Sequence, residues 1–345
     1  MFNVGIIGAT GYVGVELIRL LLNHKGVRLE AISSTSFVGK EINDVYGNFS
    51  GVTNLICKEE AEVIDKCDVI FGAVPHGLSE ELADKILKAN KVFIDMGADF
   101  RLKKEEDYKK WYNGNFNKKS LHEKAVYGIP ELYRNNIKES KLIANPGCYP
   151  TSIALGLAPV LEKHLGDTSS IIIDSKSGVT GAGRNLSLTS HYVECNESFN
   201  AYGVGGVHRH VPEIEQVLGD ISGKDVKVTF TPHLLPINRG ILSTIYINLN
   251  NEITLEDIYD IYKQYYENEK FINILQIGQV AKIKNVTYSN FCHISLHKDD
   301  RCNRLIICST IDNMVKGAAG QGIQNMNLIL GLQEEMALEA VPPAF

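Results

Sequence analysis

The segment Asn145-Pro146-Gly147-Cys148-Tyr149-Pro150-Thr151 sets a cysteine into a turn at the expected start of a helix. A helix start presents unpaired backbone N–H groups and a partial positive charge, and both favour a thiolate and an oxyanion beside it. Cys148 is therefore the candidate nucleophile. A partner able to move protons is sought in Ala201-Tyr202-Gly203-Val204-Gly205-Gly206-Val207-His208-Arg209-His210-Val211-Pro212-Glu213, where a glycine-rich approach leads to two histidines. Two histidines at i and i+2 would point apart on a helix, and no carboxylate or cysteine has matching spacing, so no metal site is expected.

A second chemical signal stands at the N-terminus. Phe2–Ile7 reads as a short strand, Gly8-Ala9-Thr10-Gly11-Tyr12-Val13-Gly14 as a glycine turn, and the following residues as a helix with apolar positions at helical spacing. The glycine spacing is not that of the standard dinucleotide fingerprint, but its physics is the same: a tight turn, close backbone approach and a helix start facing a pyrophosphate. The second strand ends Ala31-Ile32-Ser33-Ser34-Thr35-Ser36, with Lys40 beyond and no carboxylate for ribose hydroxyls. Hydroxyls and a lysine suit a 2′-phosphate, so NADP is the expected cofactor. A dinucleotide turn combined with a nucleophilic cysteine points to hydride transfer through a thioester.

These groups need a scaffold. Strands at 2–7, 27–33, 68–74 and 91–96, with a helix at 79–89, predict a parallel, doubly wound α/β sheet of Rossmann type. After the cysteine, a helix is predicted from Pro150 to about Leu165. Strands follow at 170–176, 226–231, 240–249, 291–297 and 305–310, with helices near 211–218 and 255–268. Many neighbours there lack a helix between them, which predicts an α+β layer with a mostly antiparallel sheet for catalysis and dimerisation. The small-residue helix 317–332 is expected to return to the first domain. The expected division is 1–147 with 312–345 for dinucleotide binding, and 148–311 for catalysis and assembly.

A chain of 345 residues exceeds what one core usually supports. The formal charge of −6 and the lack of a Lys/Arg run argue against nucleic acid or an anionic membrane as partner. No apolar run reaches the roughly 20 residues that span a bilayer, and nothing resembles a signal peptide, so a cytoplasmic location is expected. Seven cysteines without a Cys-x-x-Cys pair fit neither a disulfide framework nor a zinc site. Cys57 and Cys308 read as buried small hydrophobes; Cys195 sits among polar and acidic neighbours that disfavour a thiolate.

The glycine turn, Asp99-Phe100-Arg101-Leu102, the cysteine segment, Gly178-Val179-Thr180-Gly181-Ala182-Gly183-Arg184, His208-Arg209-His210 and Asp312-Asn313-Met314-Val315-Lys316-Gly317-Ala318-Ala319-Gly320-Gln321 stand in the order and spacing of the N-acetyl-γ-glutamyl-phosphate reductases of arginine biosynthesis. The chain resembles that family over essentially its whole length. The related aspartate-semialdehyde dehydrogenases share the architecture but surround their cysteine differently. The resemblance implies NADPH-dependent reduction of a small acyl phosphate, N-acetyl-L-glutamyl 5-phosphate, to the semialdehyde. It implies Cys148 as nucleophile and His208 as general acid/base. Arg101, Tyr202, His210 and Ser177 would line the substrate pocket. Gly8, Thr10, Gly11, Tyr12, Val13, Gly14, Ser33, Ser34, Gly178 and Asn313 would meet the cofactor. A homodimer or homotetramer is expected, with Ile241–Leu249 as a strand able to join a sheet between subunits. Rival readings are a shorter aspartyl or longer aminoadipyl substrate, and a cofactor-binding protein without activity.

Overall fold

Short apolar runs alternating with helices give the first part of the chain a wholly parallel sheet. In the computed structural model, which describes residues 1–344, its strands are β1 (Phe2–Ile7), β2 (Val27–Ser33), β3 (Cys57–Lys58), β4 (Val69–Gly72), β5 (Val92–Asp95), β6 (Val126–Tyr127) and β7 (Leu142–Ala144). Their order is β3-β2-β1-β4-β5-β7-β6. Every neighbouring pair runs parallel. The order reverses between β1 and β4, and the crevice beyond the strand ends at such a switch point is where ligands bind in open α/β sheets. The helix Tyr12–Leu21 follows β1, and Gly320–Ile329 packs against it and against Pro130–Lys138. One compact unit comprises residues 1–146 and 318–339, and the other 147–317 with 340–344.

The second unit is built on β8 (Ile172–Gly178), β9 (Asn200–Ala201), β10 (Thr229–Leu235), β11 (Ile241–Asn248), β12 (Ile272–Ile274), β13 (Cys292–Asp299) and β14 (Arg304–Ile311). The order is β12-β13-β14-β11-β8-β10-β9. Two pairs, β8 with β10 and β12 with β13, are parallel and the rest antiparallel. Along β11 burial alternates strictly, because successive side chains point to opposite faces. The same alternation on β14 buries Leu305, Ile307 and Ser309 and leaves Cys308 half-buried, so of the two cysteines expected inside only Cys57 is fully enclosed. β11 pairs on both sides, with β8 and β14. It therefore has no free edge to offer another subunit, contrary to the expectation from its alternating sequence.

One face of this sheet is covered by the helix Cys148–Glu162, whose residues Tyr149–Leu161 are all buried. That burial suits a nearly unbroken apolar sequence, each enclosed Leu or Ile contributing roughly 1.5–3 kcal/mol. The helix begins two residues before Pro150 and stops at Glu162, short of the predicted end, where His164 turns to positive φ. Pro159 lacks the N–H that would bond the Leu155 carbonyl one turn earlier. The Tyr266 hydroxyl donates to that carbonyl at 2.6 Å instead, and Tyr262 to the Gly156 carbonyl at 2.7 Å. Residues 315–319 form a π-turn before the final helix, which starts at Gly320, later than the sequence suggests.

Candidate active site

Cys148 is the first residue of its helix, with Gly147 as an extended N-cap that has no side-chain cap. Both backbone groups of Gly147 are held. Its N–H donates to Glu213 Oε1 at 2.8 Å, and its carbonyl accepts the Thr151 N–H at 3.0 Å and the Thr151 hydroxyl at 2.9 Å. The thiol itself is half-buried. Beside it lies Gly317, in the π-turn.

The two histidines do converge, because residues 208–210 precede the helix Val211–Ser222 rather than lying in it. Their ring centroids are 5.0 Å apart, and the Tyr149 ring stands edge-on to His208 at 5.8 Å and to His210 at 5.9 Å. Phe230 and Tyr202 close the same aromatic enclosure around His208, at 5.4 and 5.5 Å. The Tyr149 and Tyr202 hydroxyls are 3.0 Å apart. Burial raises both phenols, Tyr202 to about 12, so both stay protonated at neutral pH. Nothing in the sequence marks the Tyr149 side chain for this place except its position next to Cys148.

Burial, and after it the charge of Arg209, pushes the His208 imidazole down to about 4. Nδ1 of His208 accepts the His210 backbone N–H at 3.1 Å. A neutral imidazole with an accepting Nδ1 carries its proton on Nε2, so the hydrogen bonding assigns His208 as an Nε2–H donor.

Ser177 and Gly178 end β8, and both are buried. A Cβ on Gly178 would come within 2.6 Å of the Asn238 carbonyl oxygen, so glycine is required for the two segments to meet. Asn313 ties this region together. Its Oδ1 accepts the Gly240 N–H at 2.7 Å, and its Nδ2 donates to the Thr180 hydroxyl at 3.0 Å. Thr180 in turn donates to the Asn238 carbonyl at 2.6 Å. The structure thus brings Cys148, Ser177, Gly178, Tyr202, His208, His210 and Asn313 into one unit.

The remaining predicted residues belong to the first unit. Gly8 has φ +87°, and a Cβ there would lie 2.2 Å from the Ala73 carbonyl oxygen; one on Gly14 would lie 2.5 Å from the Gly8 carbonyl oxygen. These two glycines are demanded by the turn itself. Gly11 has only a distant neighbour at 3.6 Å, which leaves its outer side open at the start of the helix carrying Tyr12 and Val13. Thr10 and Ser34 hydroxyls bond at 2.7 Å, joining the turn to the residues just after β2, and the Tyr46 hydroxyl donates to the Thr10 carbonyl at 2.9 Å. Ser33 is buried beside them in sequence. Gln321, fully buried in this unit, has neither amide atom hydrogen-bonded among the described residues. An open helix start, paired hydroxyls and an orphaned carboxamide fit a dinucleotide that brings a pyrophosphate, a ribose phosphate and a carboxamide.

Arg101 is half-buried; its Nε donates to the Asn145 carbonyl at 2.8 Å and its Nη2 to the Met96 carbonyl at 3.2 Å. Nearby in the same unit, Asp99 accepts N–H groups of Gly77 and Ser79, and His76 pairs with it. Asp95, fully buried, is raised to about 6, first by burial and then by the Asp99 charge. No helix among the described residues is long and apolar enough to cross a membrane.

Comparison with known proteins adds an independent line. The profile of the semialdehyde dehydrogenase NAD binding domain matches residues 3–140, and that of the semialdehyde dehydrogenase dimerisation domain matches residues 148–313. The N-acetyl-gamma-glutamyl-phosphate reductase of Clostridium botulinum (strain Eklund 17B / Type B) is 59% identical over the full length of both chains. The protein of that name from Brachyspira hyodysenteriae is 55% identical, again over both full lengths. Among solved structures, aspartate semialdehyde dehydrogenase II of Vibrio cholerae superposes with a TM-score of 0.74 at 17% identity, covering 96% of this chain and 98% of that one. Aspartate semialdehyde dehydrogenase with NADP from Candida albicans gives 0.73 at 16% identity, covering 96% and 99%. At such identity these structures speak for the fold alone.

Proposed function

Because the chain belongs to the semialdehyde dehydrogenase family, we propose that it reduces N-acetyl-L-glutamyl 5-phosphate to N-acetyl-L-glutamate 5-semialdehyde and phosphate, a step of arginine biosynthesis, with NADPH as reductant. The observation that carries this reading is the half-buried thiol at the first position of a helix, in the unit that also holds a neutral histidine donor. Full-length identity above one half to reductases of that name supports the substrate.

In this mechanism the Cys148 thiolate attacks the acyl carbon, the bond to the phosphate oxygen breaks, and a thioester forms. The guanidinium of Arg101 meets substrate charge. When bound, NADPH supplies the hydride. Backbone N–H groups of Cys148 and Tyr149 and the Nε2–H of His208 receive the negative charge that develops on the thioester oxygen. Cleavage of the C–S bond then releases the aldehyde and restores the thiolate. Tyr202, His210 and Ser177 line the pocket. The first unit holds the cofactor: Gly11, Tyr12 and Val13 at the pyrophosphate, with Gly8 and Gly14 shaping the turn, and Thr10, Ser33 and Ser34 toward the 2′-phosphate. Gly178 and Asn313 frame the nicotinamide side.

The protein acts in the cytoplasm as a homodimer or homotetramer. With both edges of β11 taken, assembly would use the face of the second sheet opposite the cysteine helix, where Leu242, Tyr246 and Ile306 are half-buried and Ile172 is exposed. Sedimentation of the full chain as a monomer would remove this part of the reading. NADPH oxidation with N-acetylglutamyl, aspartyl and aminoadipyl phosphates tests the substrate. A clear preference for the first is expected; equal or greater rates with either other substrate would reassign the enzyme within its family.

A further inference from the structure

Glu213 is fully buried, yet it carries a carboxylate within one residue of the candidate nucleophile. Its Oε1 takes the Gly147 N–H at 2.8 Å, a contact between positions 66 residues apart. It stands in the first turn of the helix Val211–Ser222, where an anion is favoured by the helix's own N-terminus, and it reaches the N-cap of a second helix. The same first turn fixes His208. The Val211 N–H donates to the His208 carbonyl at 3.0 Å, the His210 N–H to His208 Nδ1 at 3.1 Å, and the Ile214 N–H to the His210 carbonyl at 2.9 Å. A short path of hydrogen bonds therefore runs from the cysteine's N-cap, through one carboxylate and one helical turn, to the histidine ring.

We propose that Glu213 is a positioning residue that fixes Cys148 relative to His208 by pinning the Gly147 N–H to the helix that anchors the histidine. Gly147 is the only residue between Pro146 and the nucleophile, and its carbonyl is already held by Thr151. With the N–H held as well, neither peptide flanking Gly147 can rotate, so the Cys148 side chain leaves the helix start in one direction. A side chain chosen only to fill the core would be apolar, since a buried carboxylate is costly unless its bonds are used. The inference rests on Cys148 being the nucleophile.

Glu213→Ala removes the anchor, and Glu213→Gln keeps an oxygen for the Gly147 N–H without the charge. The full-length variants are compared in steady-state turnover, with thermal melting to confirm folding and mass-spectrometric alkylation of Cys148 by iodoacetamide as a function of pH. Displacing a reacting group by about 1 Å can cost on the order of 100-fold. The expected result is therefore a kcat about 100-fold lower in Glu213→Ala with KM within about threefold, a changed alkylation profile, and Glu213→Gln within about fivefold of wild type. A folded Glu213→Ala with unchanged kcat, or a Glu213→Gln as defective as the alanine variant, overturns the proposal. Should the alanine variant fail to fold, Glu213→Asp decides: withdrawing the carboxylate by one methylene must lower kcat more than Glu213→Gln does. Cys148→Ser run alongside separates the two levels, because activity surviving in it would remove the nucleophile reading itself.

Discussion

Cys148 rests against the bare Cα of Gly317: a Cβ at position 317 would lie 2.8 Å from the Cys148 Cβ and 3.3 Å from its Cα. Real Cβ atoms do not approach that closely, so the helix carrying the thiol and the π-turn at 315–319 meet only because position 317 has no side chain. A π-turn at such a contact fits the frequency of these irregular turns at functional sites. Gly317→Ala should leave the fold in place and displace the thiol. Turnover is expected to fall on the order of 100-fold, with circular dichroism unchanged. An alanine variant with wild-type kcat would show that the contact has no bearing on chemistry.

His208 is held neutral by burial, so its proton equilibrium lies near 4 and not near its ordinary 6.5. The pH profile of kcat/KM in the free enzyme should show no histidine limb between about pH 5.5 and 7.5. Stability follows the same sign. A histidine whose folded value is lowered contributes fully above 6.5, and that contribution is lost as pH falls from 6.5 toward 4. His208→Asn, which keeps an N–H donor, should retain more turnover than His208→Ala. A limb near 6.5 that vanishes in His208→Asn would contradict the donor assignment.

Asp95 shifts the other way. Its folded value of about 6 exceeds that of an unfolded aspartate, so ionising it costs stability as pH rises from about 4 to 6, and the cost persists above. Its Oδ1 accepts the Ser79 hydroxyl at 2.7 Å and the Gly97 N–H at 2.9 Å, bonds that an asparagine oxygen can keep. Relative to wild type, Asp95→Asn should gain on the order of 2–3 kcal/mol between pH 4 and pH 8. Denaturant titrations at the two pH values measure this; a gain that does not change with pH removes the assignment.

Ser34 lies just after β2 with its hydroxyl on Thr10. Ser34→Asp places a negative charge where the 2′-phosphate is expected and provides an acceptor for ribose hydroxyls. KM for NADPH should rise at least about tenfold, equivalent to about 1.4 kcal/mol, while KM for NADH stays level or falls. Equal effects on the two cofactors would place the 2′-phosphate elsewhere.

Tyr266 replaces a donor that Pro159 cannot supply. Tyr266→Phe leaves the buried Leu155 carbonyl without the 2.6 Å bond it has now, and should destabilise the protein by about 1–3 kcal/mol with little change in kcat. Chemical denaturation checks the first part and steady-state kinetics the second.

Long, strongly patterned segments were legible from the residues alone. β1, β2 and β11 and the helix around the cysteine stand close to where alternation or apolar run length put them. β6, β7 and β9 have two or three residues each, too few to show a period, and they exist because neighbouring strands supply their hydrogen bonds. The parallel pairing of β8 with β10 also had no local sign, since it depends on the path of the residues between them. In the candidate site, Cys148 and His208 announced themselves by residue type and glycine context. Glu213, Tyr149 and Gly317 did not. Their parts arise from contacts across the fold, and a glutamate in a helix's first turn or a glycine in a small-residue run has an ordinary local explanation.

The most direct test of the account follows the reverse reaction, N-acetylglutamate semialdehyde with phosphate and NADP⁺, in wild type and Cys148→Ser side by side. Phosphate-dependent formation of NADPH by wild type and its loss in a folded Cys148→Ser are the predicted result. NADPH formation that persists in the serine variant would contradict a cysteine thioester as the centre of the chemistry, and formation that proceeds equally without phosphate would contradict the acyl phosphate as the substrate.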